Sequence, residues 1–393
     1  MILGIERIEV LLLIAAVVAM LVRKLRLPYT VGLTFAGIAL AFSSQSMDLQ
    51  LTKELIFTAF LPPLIFEAAF HMQWRKLQED FSVVLVLATL GILLAGGLTA
   101  AGIHYLAGWP WAAAVLFGAL ISATDPVSVI ATFKESGVTG RLRLLVEAES
   151  LFNDGTVAVI FGIALAAISG GSVSAGGIAS NFIITVAGGV LCGLLTSGTM
   201  LLLAGRTEDH LIELTFTTVA AYGSFLLAEH FHFSGVLATL AAGILIGNTG
   251  SLKAFSDRGR QAVENFWEYA GFVVNSLIFL LIGIQLAAQH FSGLIWVSLL
   301  VIVLVLLGRA IAIYLCSALF ARSKLRISFG HQHILFWGGL RGALALALAL
   351  GLPYDVPMRG EIISIAFIVV AFSVIVQGLT LTPLLRHLGE IER

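Results

Sequence analysis

The chain is 393 residues long, 59% hydrophobic and only 11% charged, where an ordinary soluble protein carries roughly a quarter charged residues. Too few polar residues remain to cover a soluble core, and the mean hydropathy of +1.02 agrees, so a water-soluble globular protein is excluded. A net charge of −1 leaves no electrostatic footprint for nucleic acid, and the two cysteines, Cys192 and Cys316, lie in apolar runs that support neither a disulfide framework nor a metal site.

A helix that crosses the hydrocarbon core needs about 20 mostly apolar residues. Thirteen segments meet that pattern: 5–24, 28–44, 51–70, 82–107, 110–135, 142–169, 175–204, 210–229, 233–249, 261–288, 292–320, 330–351 and 360–385. They are too long, and too little alternating, for barrel strands, so the fold class is an all-α membrane protein. In the first segment Glu6 and Glu9 lie at the start while Arg23, Lys24 and Arg26 follow. A cleaved secretory signal has the opposite charge order, so this segment reads as a spanning helix with its N-terminus outside. The third carries Pro62-Pro63 and then Glu67, and the fifth carries Thr124-Asp125-Pro126 midway. The sixth holds Glu147, Glu149, Ser150, Asn153 and Asp154, the eleventh Arg309, and the twelfth Gly338-Gly339-Leu340-Arg341-Gly342. His331 and His333 open the twelfth segment and read as interfacial; Trp74, Trp109 and Trp111 fall at segment ends, as an aromatic belt does.

With the N-terminus outside, most of the 22 Lys and Arg residues fall on the inner side. The outer segments hold only Arg7, Lys53 and Arg359, and the C-terminus is expected in the cytoplasm. No sizeable regulatory tail is expected after the last segment. Counting helices 1–6 as one unit, 7 as a link and 8–13 as a second gives two halves of opposite topology. Helices 5 and 12 are then equivalent, and each carries a helix breaker and a charge mid-span. Interrupted helices at matching places point to a binding site near the bilayer midplane.

An ionisable side chain inside a span costs about 3 kcal/mol or more, so each one is a functional hypothesis. Pro126 removes a backbone donor, and an unwound stretch beside Asp125 offers carbonyl oxygens and a carboxylate to a hard cation. Ser150 and Asp154 are four residues apart and share a helix face. With Thr124 and Asp125 they form an all-oxygen set suited to Na⁺, and Asn153 and Gly155 leave room around Asp154. Glu149 needs a cationic partner, because a buried, unpaired charge would neutralise. Arg309 and Arg341 are the basic residues within spans. Arg309 is favoured for Glu149, with Arg341 offsetting helix ends at the break, and the reverse pairing stays open. Glu67 lies near the inner end of its helix, where it lines a funnel or meets the ion through water; Glu147 is at most a funnel residue.

These residues resemble the sodium/proton exchangers of the monovalent cation–proton antiporter superfamily. The resemblance rests on Phe66-Glu67, Thr124-Asp125-Pro126, Glu149-Ser150-Leu151-Phe152-Asn153-Asp154, Gly308-Arg309 and Gly338-Gly339-Leu340-Arg341-Gly342-Ala343, and it covers essentially the whole chain. It implies a homodimer in the cell (inner) membrane, with transport helices at about 82–169 and 292–385 and dimerisation helices at about 5–70 and 175–288. It also implies that helices 5 and 12 cross as unwound segments and that the transport helices move like an elevator. Asp154 would carry ion and proton, with Asp125, Thr124 and Ser150 as co-ligands of Na⁺. Asn153 would stabilise the site, and Glu149 with an arginine would form a structural bridge. Members with Asn-Asp at 153–154 look electroneutral.

The expected activity is therefore Na⁺/H⁺ exchange, with K⁺/H⁺ or mixed monovalent-cation exchange as the alternative. No cofactor is expected beyond the transported ions, Na⁺ with Li⁺ or K⁺ as further candidates, and H⁺. The expected surroundings are lipids and a second copy of the chain, with no nucleic acid. An enzyme is not expected: the sequence has no Gly-x-Gly-Asp, His-Glu-x-x-His or Gly-x-Ser-Gly motif.

Overall fold

The computed structural model describes residues 5–25, 27–42, 51–168, 175–248, 255–289 and 293–391. Every regular element among them is a helix. In chain order these are α1 (Ile5–Leu25), α2 (Tyr29–Ala41), α3 (Leu55–His71), α4 (Trp74–Ala107), α5 (Trp111–Ile121), α6 (Val127–Ser136), α7 (Arg141–Ile168) and α8 (Ala175–Ala204). There follow α9 (His210–His230), α10 (Gly235–Gly247), α11 (Asp257–Ala288), α12 (Ile295–Leu319), α13 (Phe329–Trp337), α14 (Ala343–Leu350) and α15 (Arg359–His387). Each predicted segment contains helix, and the fifth and twelfth are each split in two, into α5 and α6 and into α13 and α14. Among the described residues, seven helices are long and apolar enough to cross a membrane unbroken: α4, α7, most of α8, α9, α11, α12 and α15.

The polarity is that of a lipid-solvated molecule. The exposed positions along α12, and most of those along α1 and α8, are apolar, including Leu13, Met20, Leu195, Leu202 and Leu315, while Glu149, Asn153, Asp154, Arg309 and Arg341 are buried. Backbone groups that break the helical ladder are re-satisfied internally, as hydrocarbon requires. In α3 a π-helical turn over Leu55–Phe60 precedes Pro62 and Pro63. Pro63 has no N–H to give to the carbonyl of Ala59, and the Tyr222 hydroxyl donates there instead (3.2 Å).

The helices pack in two groups. In one, α2 lies along α11, and α10 lies between α3 and α8, with α9 beside α8 and α10. In the other, α4 packs on α5 and α12, while α7 packs on α4 and α5, and α14 and α12 pack on α15. Between the groups, α7 meets α8 and α10.

Two sequence expectations change. The fourth helix begins at Trp74 rather than 82: residues 74–81 are amphipathic, with Leu77 and Asp80 buried, so average apolarity understates the helix. Trp109 is not a belt residue. It is 3% exposed and sits edge-on to Phe117 at 5.8 Å, whereas Trp74 and Trp111 are exposed.

Buried Asp80 is held by Arg141 at the start of α7. Arg141 Nε lies 2.9–3.0 Å from both carboxylate oxygens, and Nη2 lies 2.6 Å from Oδ1. The same guanidinium donates to the carbonyls of Leu325 and Arg326, both at 2.8 Å, and so ties α4, α7 and the α12–α13 loop together. Arg141→Lys is expected to lower stability by about 1–3 kcal/mol, because a point-charge ammonium cannot reproduce the planar fork. Thermal melting in detergent checks this, and a melting temperature equal to wild type would show that the clamp is idle.

Candidate cation site

The two helix breaks meet. Residues 122–126 separate α5 from α6, and residues 338–342 separate α13 from α14. The Asp125 N–H donates to the Leu340 carbonyl at 2.7 Å, so the unwound backbones are bonded to each other. Four helix ends converge here, and each end leaves backbone groups without helical partners. Charges of the right sign sit on them. The Asp125 carboxylate accepts the Val127 N–H at 3.0 Å, at the positive end of α6. The Arg341 guanidinium reaches the Ala123 carbonyl at 3.5 Å, at the negative end of α5.

The glycines around Arg341 have a steric reason. A Cβ on Gly342 would lie 2.7 Å from Asp125 Cγ, and one on Gly339 would lie 2.6 Å from Arg309 Nε. Only glycine lets the backbone come this close to both side chains.

Asp154 is 9% exposed, on α7 beside the crossing. Its Oδ1 is buried and has no hydrogen-bond partner among the described residues. Asp125 and Glu149 are its charged neighbours. A cavity of about 60 Å³ is lined by Asp154, Asp125, Thr124 and Glu67, together with Asn275 and Phe279 of α11. That volume exceeds what a few waters need. Glu67 lies on the path toward the C-terminal end of α3, its carboxylate 3.5 Å from His71 Nδ1.

Thr124 and Ser150 are hydrogen-bonded through their hydroxyls at 2.9 Å. The Ser150 hydroxyl also donates to the Thr124 carbonyl at 2.5 Å. Ser150 has one proton, and it goes to that carbonyl, so Thr124 must be the donor between the two hydroxyls. The Thr124 oxygen is then left with lone pairs only. Thr124 lines the cavity; Ser150 and Asn153 do not. In this arrangement Ser150 fixes Thr124, and Asn153 Nδ2 donates to Glu149 Oε1 at 3.3 Å.

Glu149 pairs with Arg309, not Arg341. Nη1–Oε1 is 2.6 Å and Nη2–Oε2 is 3.0 Å, a two-pronged bridge between α7 and α12. Arg309 Nη2 also donates to the Leu335 carbonyl near the end of α13 at 3.1 Å. Glu147 stands apart, paired with Arg143 at 3.3 Å. Two participants had escaped sequence reasoning. Asn275 was detectable as a lone amide in the apolar run 270–284; Ser373 of α15, which accepts the Arg341 N–H at 2.8 Å, carried no such signal.

Two broken helices bonded through their unwound backbones, with a buried carboxylate beside them and apolar outer faces, define a secondary transporter of the membrane. The chain matches the transmembrane sodium/hydrogen exchanger family over residues 11–387. It is 40% identical over 372 residues to the low-affinity Na⁺/H⁺ antiporter NhaS1 of Synechocystis sp., covering 93% of this chain and 70% of that one. It is 34% identical over 396 residues to the Na⁺/H⁺ antiporter NhaH of Halobacillus aidingensis, covering 98% and 97%. The sodium proton antiporter MjNhaP1 from Methanocaldococcus jannaschii has the same fold, with a TM-score of 0.75 at 21% identity over 98% of both chains. This chain belongs to the sodium/hydrogen exchanger family, whose members are transporters and not enzymes.

Proposed function

We propose that this protein exchanges Na⁺ for H⁺ by letting the two compete for Asp154. The observation that carries the reading is the buried Asp154 oxygen with no donor, facing an oxygen-lined cavity where two helices break. A carboxylate in that setting is costly when ionised and empty, and a proton or a cation relieves the cost. It gains little from both at once, because a bound cation must displace the proton. Asp125, the Thr124 hydroxyl and, through water, Glu67 complete the oxygen set for Na⁺. Ser150 and Asn153 hold that set in place, and Arg341 and the Glu149–Arg309 bridge fix the helices that carry it.

The arrangement of the molecule follows from the same reading. Helices α4–α7 and α12–α15 form the moving transport group, and α1–α3 with α8–α11 form the scaffold on which two copies pair. The protein sits in the cell membrane, with its N-terminus outside and its C-terminus in the cytoplasm, as the distribution of Lys and Arg supports. One proton is exchanged for one Na⁺, so an imposed membrane potential leaves the rate nearly unchanged.

Competition has a signature in proteoliposomes that dissipate a pH gradient. Below the carboxylate pKa, each unit fall in pH is expected to raise the half-saturating Na⁺ concentration about tenfold, because one proton is displaced per ion. The maximal rate at saturating Na⁺ stays constant. A maximal rate that falls with pH while half-saturation stays fixed would remove single-site competition. The same assay with Li⁺ and K⁺ gives the selectivity.

A further inference from the structure

Helix α15 contains a π-helical turn over Ser373–Gln377, and both end residues point into the break between α13 and α14. Ser373 is 1% exposed and Gln377 3%. The Ser373 hydroxyl accepts the Arg341 N–H at 2.8 Å and donates to Gln377 Oε1 at 2.7 Å. The Gln377 amide donates in turn to the Trp337 carbonyl at 3.0 Å, at the last residue of α13. The amide orientation is forced: its NH₂ must face a carbonyl, so its oxygen must face the serine proton. Both sides of the break are therefore held by one neighbouring helix. A π turn is a recurrent feature of functional sites.

The peptide unit that Ser373 grips is the one that meets the other broken helix. Its N–H, from Arg341, goes to Ser373, and its carbonyl, from Leu340, receives the Asp125 N–H at 2.7 Å. One rigid plane thus links Ser373 to the backbone of Asp125, whose carboxylate lines the cavity. Neither Ser373 nor Gln377 lines that cavity. We propose that Ser373 and Gln377 are positioning residues for the cation site, acting through the Leu340–Arg341 peptide on Asp125. Without the serine oxygen, the Arg341 N–H is a buried donor with no acceptor, and the peptide turns to find one. Asp125 turns with it, and the cation loses a ligand. The loss falls on affinity, because Asp154, which carries the proton, is untouched.

The inference rests on the exchange reading above. Its test compares wild type with Ser373→Thr, Ser373→Val and Ser373→Ala in proteoliposomes, reading Na⁺-driven dissipation of a pH gradient over a range of Na⁺. Thr and Val have nearly the same shape, so the pair isolates the hydroxyl. Ser373→Val and Ser373→Ala are expected to raise the half-saturating Na⁺ concentration about threefold to tenfold, the factor one hydrogen bond carries. Their maximal rates stay within about twofold of wild type, and Ser373→Thr matches wild type. Gln377→Leu shifts half-saturation in the same direction. Equal behaviour of Thr and Val, or an unchanged half-saturation in Ser373→Ala, overturns the proposal. So does failure of both Thr and Val to fold, since shape and not the hydroxyl would then decide. Wild type without Na⁺-driven flux is a distinct outcome: it removes the exchange reading itself, and this inference with it.

Discussion

Asp154→Asn is expected to reduce Na⁺-driven proton flux at least about 100-fold, to the background of empty liposomes, while the protein still inserts and folds. Asn has the shape of a protonated Asp but can neither release a proton nor attract a cation by charge. The wild-type side chain is buried and its Oδ1 has no donor, so the neutral amide removes an electrostatic burden instead of adding one. Stability should therefore hold or rise. A second measurement separates lost binding from lost movement. Na⁺ stabilises a folded state that binds it, by about 2.7 kcal/mol at a concentration 100 times the dissociation constant. Wild type should melt at a higher temperature in saturating Na⁺ than in choline, and Asp154→Asn should melt at the same temperature in both. Robust flux, or an intact Na⁺ shift, in the variant would place the carrier elsewhere. Asp125→Asn tests the hierarchy of the two carboxylates. Its Oδ1 still accepts the Val127 N–H, so the α6 cap survives and the effect is confined to the cation.

Much of this was legible in the sequence, for a physical reason. A bilayer tolerates a charge only where protein surrounds it, so Asp125, Glu149, Asp154, Arg309 and Arg341 stood out against their apolar surroundings. Proline and glycine marked both helix breaks because each removes a constraint that a regular helix imposes. Signals of other kinds were weaker. Asp80 and Arg141 lie at span ends, where charge is ordinary, so their clamp was not detectable. Ser373 and Gln377 are neutral, and a search for charge passes over them; the first sign of their role is the Arg341 N–H, which donates to Ser373 instead of a helical carbonyl because the helix breaks there. Spacing put Ser150 on the same face as Asp154, but it could not say that the single serine proton goes to the Thr124 carbonyl. Trp109 followed a positional rule for tryptophan that its own packing overrides. The Glu149 partner was a choice between two arginines that only geometry decides: Arg341 is committed to the break, and Arg309 alone presents two donors to both carboxylate oxygens.

That bridge carries the second large effect. Arg309→Met leaves Glu149, 2% exposed, with a charge and no counter-charge, and it also strips the Leu335 carbonyl of its donor. Removing one partner of a buried pair costs about 3–5 kcal/mol, enough to unfold a marginal membrane protein in detergent. Glu149→Met should be as damaging, since it leaves a buried guanidinium and releases Asn153 Nδ2. The double variant is the informative one. A buried pair contributes little net stability against an apolar isostere, because desolvation offsets the attraction. Glu149→Met with Arg309→Met is therefore expected to recover most of the melting temperature lost by either single change, so that the coupling energy in the cycle is larger than the cost of either single change. Transport should not recover with it. Arg309 also holds the end of α13 through Leu335, at the edge of the broken segment, and Met supplies no donor there. Charge reversal, Glu149→Arg with Arg309→Glu, should fail on both counts, because a carboxylate at 309 would face the Leu335 carbonyl. Additive losses in the cycle would mean that the two side chains are solvated independently. A double variant that regained both stability and transport would show that the bridge is packing alone and leaves the cation site to its own oxygens.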